Sequence, residues 1–483
     1  MKLKSKILSI SLLGLACLSM LSCNQKSEAN QKNISKDDAT IVKVFQTAKS
    51  TEDRLTSQND IVLMEDSFQN MAYVNVDVNH QFQTIVGIGG AFTESAAYNY
   101  SKLSEPKKKK LIDMYFDPET GNGYTLGRVH INSCDFSLES WACDTVEGDT
   151  LLKYFNIERD HKYIIPFVKE AMKVANNNIT LYASPWSPPK WMKTNNDMCR
   201  GGQLKTEYRN AWALHYTKFI KAYRELGLNM WAITVQNEPA AWQVWESCLY
   251  SAEEERDFVK NHLGPVMEKE GLKDVKIIVW DHNRDISYER VAPIYDDPEA
   301  SKYVWGAGIH WYNGDHFDDV LAIHDAYPNK NILFTEGCQE SGPHFGEWQV
   351  GERYGKSIIN DFNSWVVGWT DWNLVLDMQG GPNHVGNFCS APLHVDAEND
   401  SIIVNNSYYY LGHFSRFIKP GARRITCTTT KDELEITAFI NTDNKVAVVV
   451  MNRTDGDIDF ALRFKGKAAK TKSLAHSIVT YVF

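Results

Sequence analysis

Between Ile85 and Phe417 the chain repeats one pattern: a short apolar run, a polar loop, then a longer segment whose apolar residues return every three or four positions. The short runs are residues 84–88, 127–131, 179–183, 231–235, 277–280, 308–311, 331–335 and 366–372. Apolar runs of this length, bounded by turn residues, form buried strands. Residues 163–175 and 208–226 carry helical spacing, and Ser251-Ala252-Glu253-Glu254 is a capping box that opens a helix reaching Leu263. Eight strands alternating with helices predict an α/β protein, a (β/α)8 TIM barrel spanning 84–418.

From about Lys419 the rhythm changes. Residues 424–430, 433–439, 446–452, 457–464 and 477–483 are β-rich and parted by turns such as Thr442-Asp443-Asn444 and Asp455-Gly456. No helix intervenes, so 419–483 reads as a β-sandwich associated with the barrel. It is too small to stand alone. Residues 73–78 alternate polar and apolar side chains, and the segment 45–83 is expected to complete the sandwich.

The first residues add an address. Lys2, Lys4 and Lys6 precede an apolar stretch from Ile7 to Leu21, then Ser22-Cys23, the shape of a secretory signal. The stretch is too short to span a bilayer. Cys23 after a small residue resembles a bacterial lipoprotein processing site, with 24–44 as a polar tether. The expectation is an exported protein, lipid-anchored to the bacterial outer membrane and touching the membrane only through that anchor. Cys134, Cys143, Cys199, Cys248, Cys338, Cys389 and Cys427 are too scattered for a zinc ribbon or a redox CxxC pair.

A formal charge of −10, with the one basic run at Lys107–Lys110 on a helix face after Pro106, argues against nucleic acid. Aromatic residues make up 12% of the chain, which suits a cleft for flat sugar faces. Gly87-Ile88-Gly89-Gly90 is not a dinucleotide loop, because Phe92 stands where the third glycine belongs. His310, Asp315 and His316 are not expected to bind metal, since a histidine in an aromatic strand packs or meets substrate. No cofactor is expected.

Two carboxylates carry the chemistry. Glu238 and Glu336 each follow a predicted strand, and Pro239 stops the first ladder. In a parallel barrel the carboxyl ends of strands gather catalytic groups, so the two acids are expected to face each other. Glycoside cleavage needs one carboxyl that holds a proton for the leaving oxygen and one carboxylate at the anomeric carbon. Glu238, beside Asn237 and followed by Trp242 and Trp245, is assigned as acid and base; Glu336, before Gly337, where a ligand is expected to approach closely, is assigned as nucleophile. A separation of roughly 5–5.5 Å would mean retention of configuration.

Several motifs extend this reading over nearly the whole chain beyond the leader. They are Gly89-Gly90-Ala91-Phe92-Thr93-Glu94, Asn132-Ser133-Cys134-Asp135-Phe136-Ser137, Ser184-Pro185-Trp186-Ser187-Pro188-Pro189 and Gln236-Asn237-Glu238-Pro239. His310-Trp311-Tyr312, Thr335-Glu336-Gly337-Cys338, Trp369-Thr370-Asp371-Trp372-Asn373-Leu374 and Gly380-Gly381-Pro382-Asn383 with Asn387 complete the set. The pattern resembles glycoside hydrolase family 30, which includes lysosomal glucosylceramidase and microbial β-1,6-glucanases. The resemblance implies the same barrel and sandwich and the same roles for Glu238 and Glu336. It also implies that Asp135, Trp186, Asn237, Tyr312, Trp372 and Asn387 surround the first sugar, and His310 is expected among the substrate-binding residues.

The segment Ala240–Cys248 departs from the glucosylceramidase pattern, and Trp242 with Trp245 would wall the site beyond the scissile bond. Such a wall suits a second glucose unit better than a flexible lipid, and the sequence resembles the bacterial β-glucan branch of the family, which implies β-1,6-glucan hydrolysis; the protein is expected to act as a monomer. Glucosylceramidase or exo-acting β-glucosidase activity is the alternative, and a surface glycan-binding lipoprotein without turnover a more distant one.

Overall fold

The computed structural model describes residues 39–483. The leader, Cys23 and the tether as far as residue 38 lie outside the described residues. Among the described residues no helix is long and apolar enough to cross a membrane.

Eight parallel strands close into a barrel in sequence order: Gly87–Ala91, Leu126–Ile131, Thr180–Pro185, Met230–Thr234, Lys276–Asn283, Val304–His310, Asn331–Glu336 and Val366–Asn373. The first strand begins three residues later than its apolar run predicts. Residues 84–88 are split, because the long strand Tyr73–Thr84 belongs to the sandwich and pairs through Thr84 with Arg423. The barrel strand instead runs through Gly89 and Gly90, residue types that weaken a strand reading. A Cβ on Gly89 would lie 1.7 Å from the Leu126 carbonyl oxygen, so close pairing to the second strand requires glycine there. Gly306 and Gly308 likewise mask the start of the sixth strand, which begins at Val304 rather than residue 308.

The helical patterns at 163–175 and 208–226 become Ile164–Val174 and Arg209–Glu225, amphipathic helices packed on the barrel wall. The capping box forms: the Ser251 hydroxyl accepts from Glu254 N–H at 3.1 Å and the Glu254 carboxylate accepts from Ser251 N–H at 2.8 Å. That helix runs Ala252–Phe258 and passes through a π turn, Val259–Leu263, before continuing. Leu126, Tyr182, Ala232, Ile278 and Leu333 fill one layer of the barrel interior.

The second layer is a ten-stranded sheet that curls on itself. Thr40–Ala48 pairs with both Ser477–Val482 and Ile61–Glu65, joining the two ends of the strand order. Thr40 to Val44, read as tether, are therefore strand: Val42 and Val44 point into the sandwich core with Val74, Val448 and Phe460. One strand went unread. Lys467–Ser473 has alternating lysines and little β-propensity, and it forms by pairing along its length with Ile458–Phe464. Val446–Asn452 is buried on both faces, one towards the sandwich core and the other, through Ala447, Val449 and Met451, towards the barrel helices. Burial on two sides explains its unbroken apolar sequence.

Candidate active site

Both acids emerge at the carboxyl ends of barrel strands. Glu336 is the last residue of its strand. Glu238 lies four residues beyond Thr234, where the chain stays against its neighbour: Val235 N–H donates to Ile278 O at 2.9 Å and Glu238 N–H to Asp281 O at 3.0 Å. Glu238 has φ +51°, and Trp280 and Asp281 have φ +70° and +50°. Three non-glycine residues in the left-handed region cost about 1–3 kcal/mol each, a strain that surrounding contacts must hold. Asp281 marks a register slip between the fifth and sixth strands, where Gly308 pairs with Trp280 but Ile309 with His282. The extra residue turns its carboxylate into the barrel.

Arg128 organises the charges. It is fully buried on the second strand and donates to Glu336 Oε2 at 2.6 Å, Asp281 Oδ2 at 2.9 Å, Asn237 Oδ1 at 2.9 Å and Ser184 Oγ at 2.9 Å. Its guanidinium also lies 4.6 Å from the Trp186 ring centre and 5.4 Å from that of Trp372. A buried guanidinium with this set of partners stays charged and fixes the acids that surround it. Tyr312 donates its hydroxyl to Glu336 Oε1 at 2.9 Å, so both oxygens of Glu336 accept. Glu238 Oε2 accepts from Gln243 Nε2 at 3.1 Å, and Oε1 faces His310 Nδ1 at 3.3 Å. The other nitrogen of His310 meets Asp281 Oδ1 at 3.0 Å.

These contacts split the two acids. Burial works against charge on Glu238, yet the imidazoles of His282 and His310 hold its carboxyl down to about 2. Burial, with Glu238 and Asp281 adding like charge, raises Glu336 above its ordinary range against the pull of His310 and Arg128. His310 is raised to about 9, since Glu336, Asp281 and Glu238 outweigh the effect of its burial. A carboxylate at each nitrogen favours the doubly protonated form of His310.

One ligand atom from each of Glu238, His310 and Glu336 lies within 4.8 Å of the others. That spacing could hold a cation, but Arg128 and Asp281 already engage two of the three. Glu238 and Glu336 open on one cavity of about 270 Å³, also lined by Asp135, Asn237, Trp186, Trp372, Tyr312 and Asn387. The two tryptophan rings stack at 5.1 Å and 17° to make one wall. Asn383 and Asn387 both donate to Asp135 Oδ2, at 3.2 and 3.1 Å. Burial nevertheless raises Asp135 to about 7.

A model of the glycosyl hydrolase family 30 TIM-barrel domain matches residues 85–418, and the family's β-sandwich domain matches 421–481. The chain belongs to glycosyl hydrolase family 30. The lysosomal acid glucosylceramidase of Mus musculus is 35% identical over 427 residues, covering 83% of this chain and 82% of that protein. Among solved structures, SrfJ from Salmonella typhimurium superposes with a TM-score of 0.88 at 33% identity, covering 92% of this chain and 99% of the other. The endo-β1,6-glucanase BT3312 superposes with a TM-score of 0.83 at 30% identity, covering 91% and 98%. This family 30 chain is accordingly a glycoside hydrolase.

Three sequence expectations about the family 30 site are corrected. His310 does not line the cavity; it is wholly buried between Asp281 and Glu238. Trp242 is 57% exposed and lies outside the cavity against Gly201, whereas Trp245 lines it. Gly337 does not open space for a ligand: a Cβ there would meet Phe334 Cζ at 2.8 Å and Trp311 Cε2 at 2.9 Å, so packing requires the glycine. Arg128 and Asp281 went unread, although an arginine inside the apolar strand Leu126–Ile131 is a buried charge that demands acidic partners. Gln243, Asn313, Glu340 and Cys389 also line the cavity and carry no strand-end signal that would single them out, whereas His282, Asn283 and Cys338 line it from the carboxyl ends of the fifth and seventh strands.

Proposed function

We propose that this family 30 hydrolase cleaves β-1,6-linked glucan with retention of configuration. The observation that carries retention is the approach of Glu238 and Glu336 to within 4.8 Å across one cavity, near the roughly 5–5.5 Å of double displacement and short of the roughly 6.5–9.5 Å that admits a water between the acids. Glu336, held by Arg128 and Tyr312, attacks the anomeric carbon while Glu238 delivers a proton to the departing oxygen. Moving the Nδ1 proton of His310 onto Glu238 Oε1 arms the acid without changing the total charge of the site. Glu238 then takes a proton from water, whose oxygen displaces Glu336 and releases the sugar. Asp135, Asn237 and Asn387 are assigned to the sugar hydroxyls, and the Trp186–Trp372 wall to its ring.

The leaving-group preference is argued from the side nearest Glu238. Gln243, His282, Asn283 and Asn313 line it with amides and an imidazole, groups that bond a second sugar better than a lipid chain. The resemblance to an endo-β1,6-glucanase supports the same reading. Glucosylceramide is the second reading, favoured by the 35% identity to the mouse glucosylceramidase. Export and lipid anchoring through Cys23 remain part of the proposal, as does action as a monomer.

The test is product analysis on β-1,6-, β-1,3- and β-1,4-linked glucans and on glucosylceramide, with the first anomer formed followed by NMR. Release of β-anomer from β-1,6-glucan is expected, and Glu336→Gln should abolish it while the fold survives. Release from glucosylceramide but not from β-1,6-glucan would overturn the substrate assignment.

A further inference from the structure

Two thiols stand in the cavity wall with no part in the mechanism. Cys338 follows the nucleophile's strand, and Cys389 lies in the loop that also carries Asn383 and Asn387. A short antiparallel bridge pairs Glu340 with Cys389 and is held by Ser390 N–H to Gln339 O at 2.8 Å and Gly342 N–H to Phe388 O at 3.0 Å. Cys338 is two residues before Glu340, so it falls diagonally opposite Cys389 on the same face of the bridge. Both thiols belong to one buried cluster with Trp372 and Leu376, and the Tyr312 hydroxyl lies 3.6 Å from Cys338 Sγ. Both cysteines are free and almost wholly buried, at 1% and 4% exposure, yet both line the cavity. The sugar cavity is thus their route to solvent.

We propose that Cys338 and Cys389 form a paired-thiol site in the cavity wall that captures electrophiles able to bridge two sulfurs, trivalent arsenicals being the class it takes. Register explains the preference for a bridging atom. A disulfide needs Cβ atoms roughly 3.5–4.5 Å apart, whereas diagonal neighbours start farther apart, so joining the sulfurs directly would distort the bridge. An arsenic atom between them has the longer reach. The step is a condensation: phenylarsine oxide gives its oxygen, the two thiols give their hydrogens, one water leaves and two As–S bonds form. Arsenic stays trivalent. The adduct would sit against Tyr312, whose hydroxyl holds Glu336, so capture also ends turnover.

The site is independent of the glycan assigned above and is tested without an activity assay. Native full-length chain is incubated with one equivalent of phenylarsine oxide, then analysed by intact mass and by thiol titration after denaturation. One phenylarsenic adduct and the loss of two titratable thiols are expected, reversed by 2,3-dimercaptopropanol but not by an equal concentration of a monothiol. Cys338→Ser and Cys389→Ser should each abolish the stable adduct, and Cys199→Ser, outside the cavity, should retain it. Absence of an adduct on folded wild type, or an equal adduct on folded Cys389→Ser, would overturn the assignment.

Discussion

Replacing His310 with glutamine removes the positive charge nearest Glu238 while leaving an amide that can still bond Asp281. The charges are 3.3 Å apart. At an effective dielectric constant of about 20 their attraction is roughly 5 kcal/mol, or about 3–4 pKa units. Glu238, held at about 2 in the wild type, should rise to ~5–6 in His310→Gln. The consequence for catalysis runs in the opposite direction. In the wild type the last proton of the His310–Glu238 pair is lost only through about 9, so the proton that serves the leaving group persists at neutral pH. In the variant Glu238 must hold that proton alone. The alkaline limb of kcat/KM should therefore move down from near 9 to ~5–6, and at pH 7 the variant should be about 10- to 100-fold slower on an aryl β-glucoside with a poor leaving group. A dinitrophenyl β-glucoside, which departs without a proton, should show no such limb and reports whether the variant is folded and binds. An alkaline limb still near 9 in His310→Gln would refute the shared proton.

Asn387→Ala removes one of two amide donors to Asp135. Losing a bond to the ionised form raises Asp135 above its wild-type value of about 7, so less of it is charged at neutral pH; the loss of about 1.5–3 kcal/mol should lower kcat/KM roughly 10- to 100-fold and move its acid limb to higher pH, read from a pH profile. Gly337→Ala presses a methyl onto Phe334 and Trp311 and should cost about 1–3 kcal/mol in urea unfolding, with no ligand needed to reveal it. Trp242→Ala should leave kcat/KM on a small aryl β-glucoside within about twofold, because the ring lies outside the cavity, while KM for long glucan rises about 2- to 10-fold if the ring stacks on a distal sugar.

The sequence revealed the barrel because its signal is local. A buried strand must be apolar over its own few residues, and a helix must present one apolar stripe, so 179–183 and 208–226 announce themselves without reference to anything distant. Where another element supplies the stabilisation, that logic fails. Lys467–Ser473 is a strand because Ile458–Phe464 offers it a ladder, and Gly87–Ala91 because Leu126 comes too close for any side chain at Gly89. The same division runs through the active site. Glu238 and Glu336 were legible as polar exits from apolar runs, but which histidine faces the sugar and which stands behind the acid depends on the register slip at Asp281, two barrel strands away from Glu336. Arg128 makes the point physically. One guanidinium on the second strand bonds Glu336 from the seventh, Asp281 from the fifth and Asn237 after the fourth, so the electrostatic state of the nucleophile is set by residues up to 208 positions apart in the chain. Glu336 and Asp281 need the barrel closed before their charges are compensated, since either carboxylate left alone in that interior would be driven to neutrality. The catalytic charges are thus a property of the closed barrel, and a substitution that opens it between the fourth and fifth strands should disarm Glu336 without touching it.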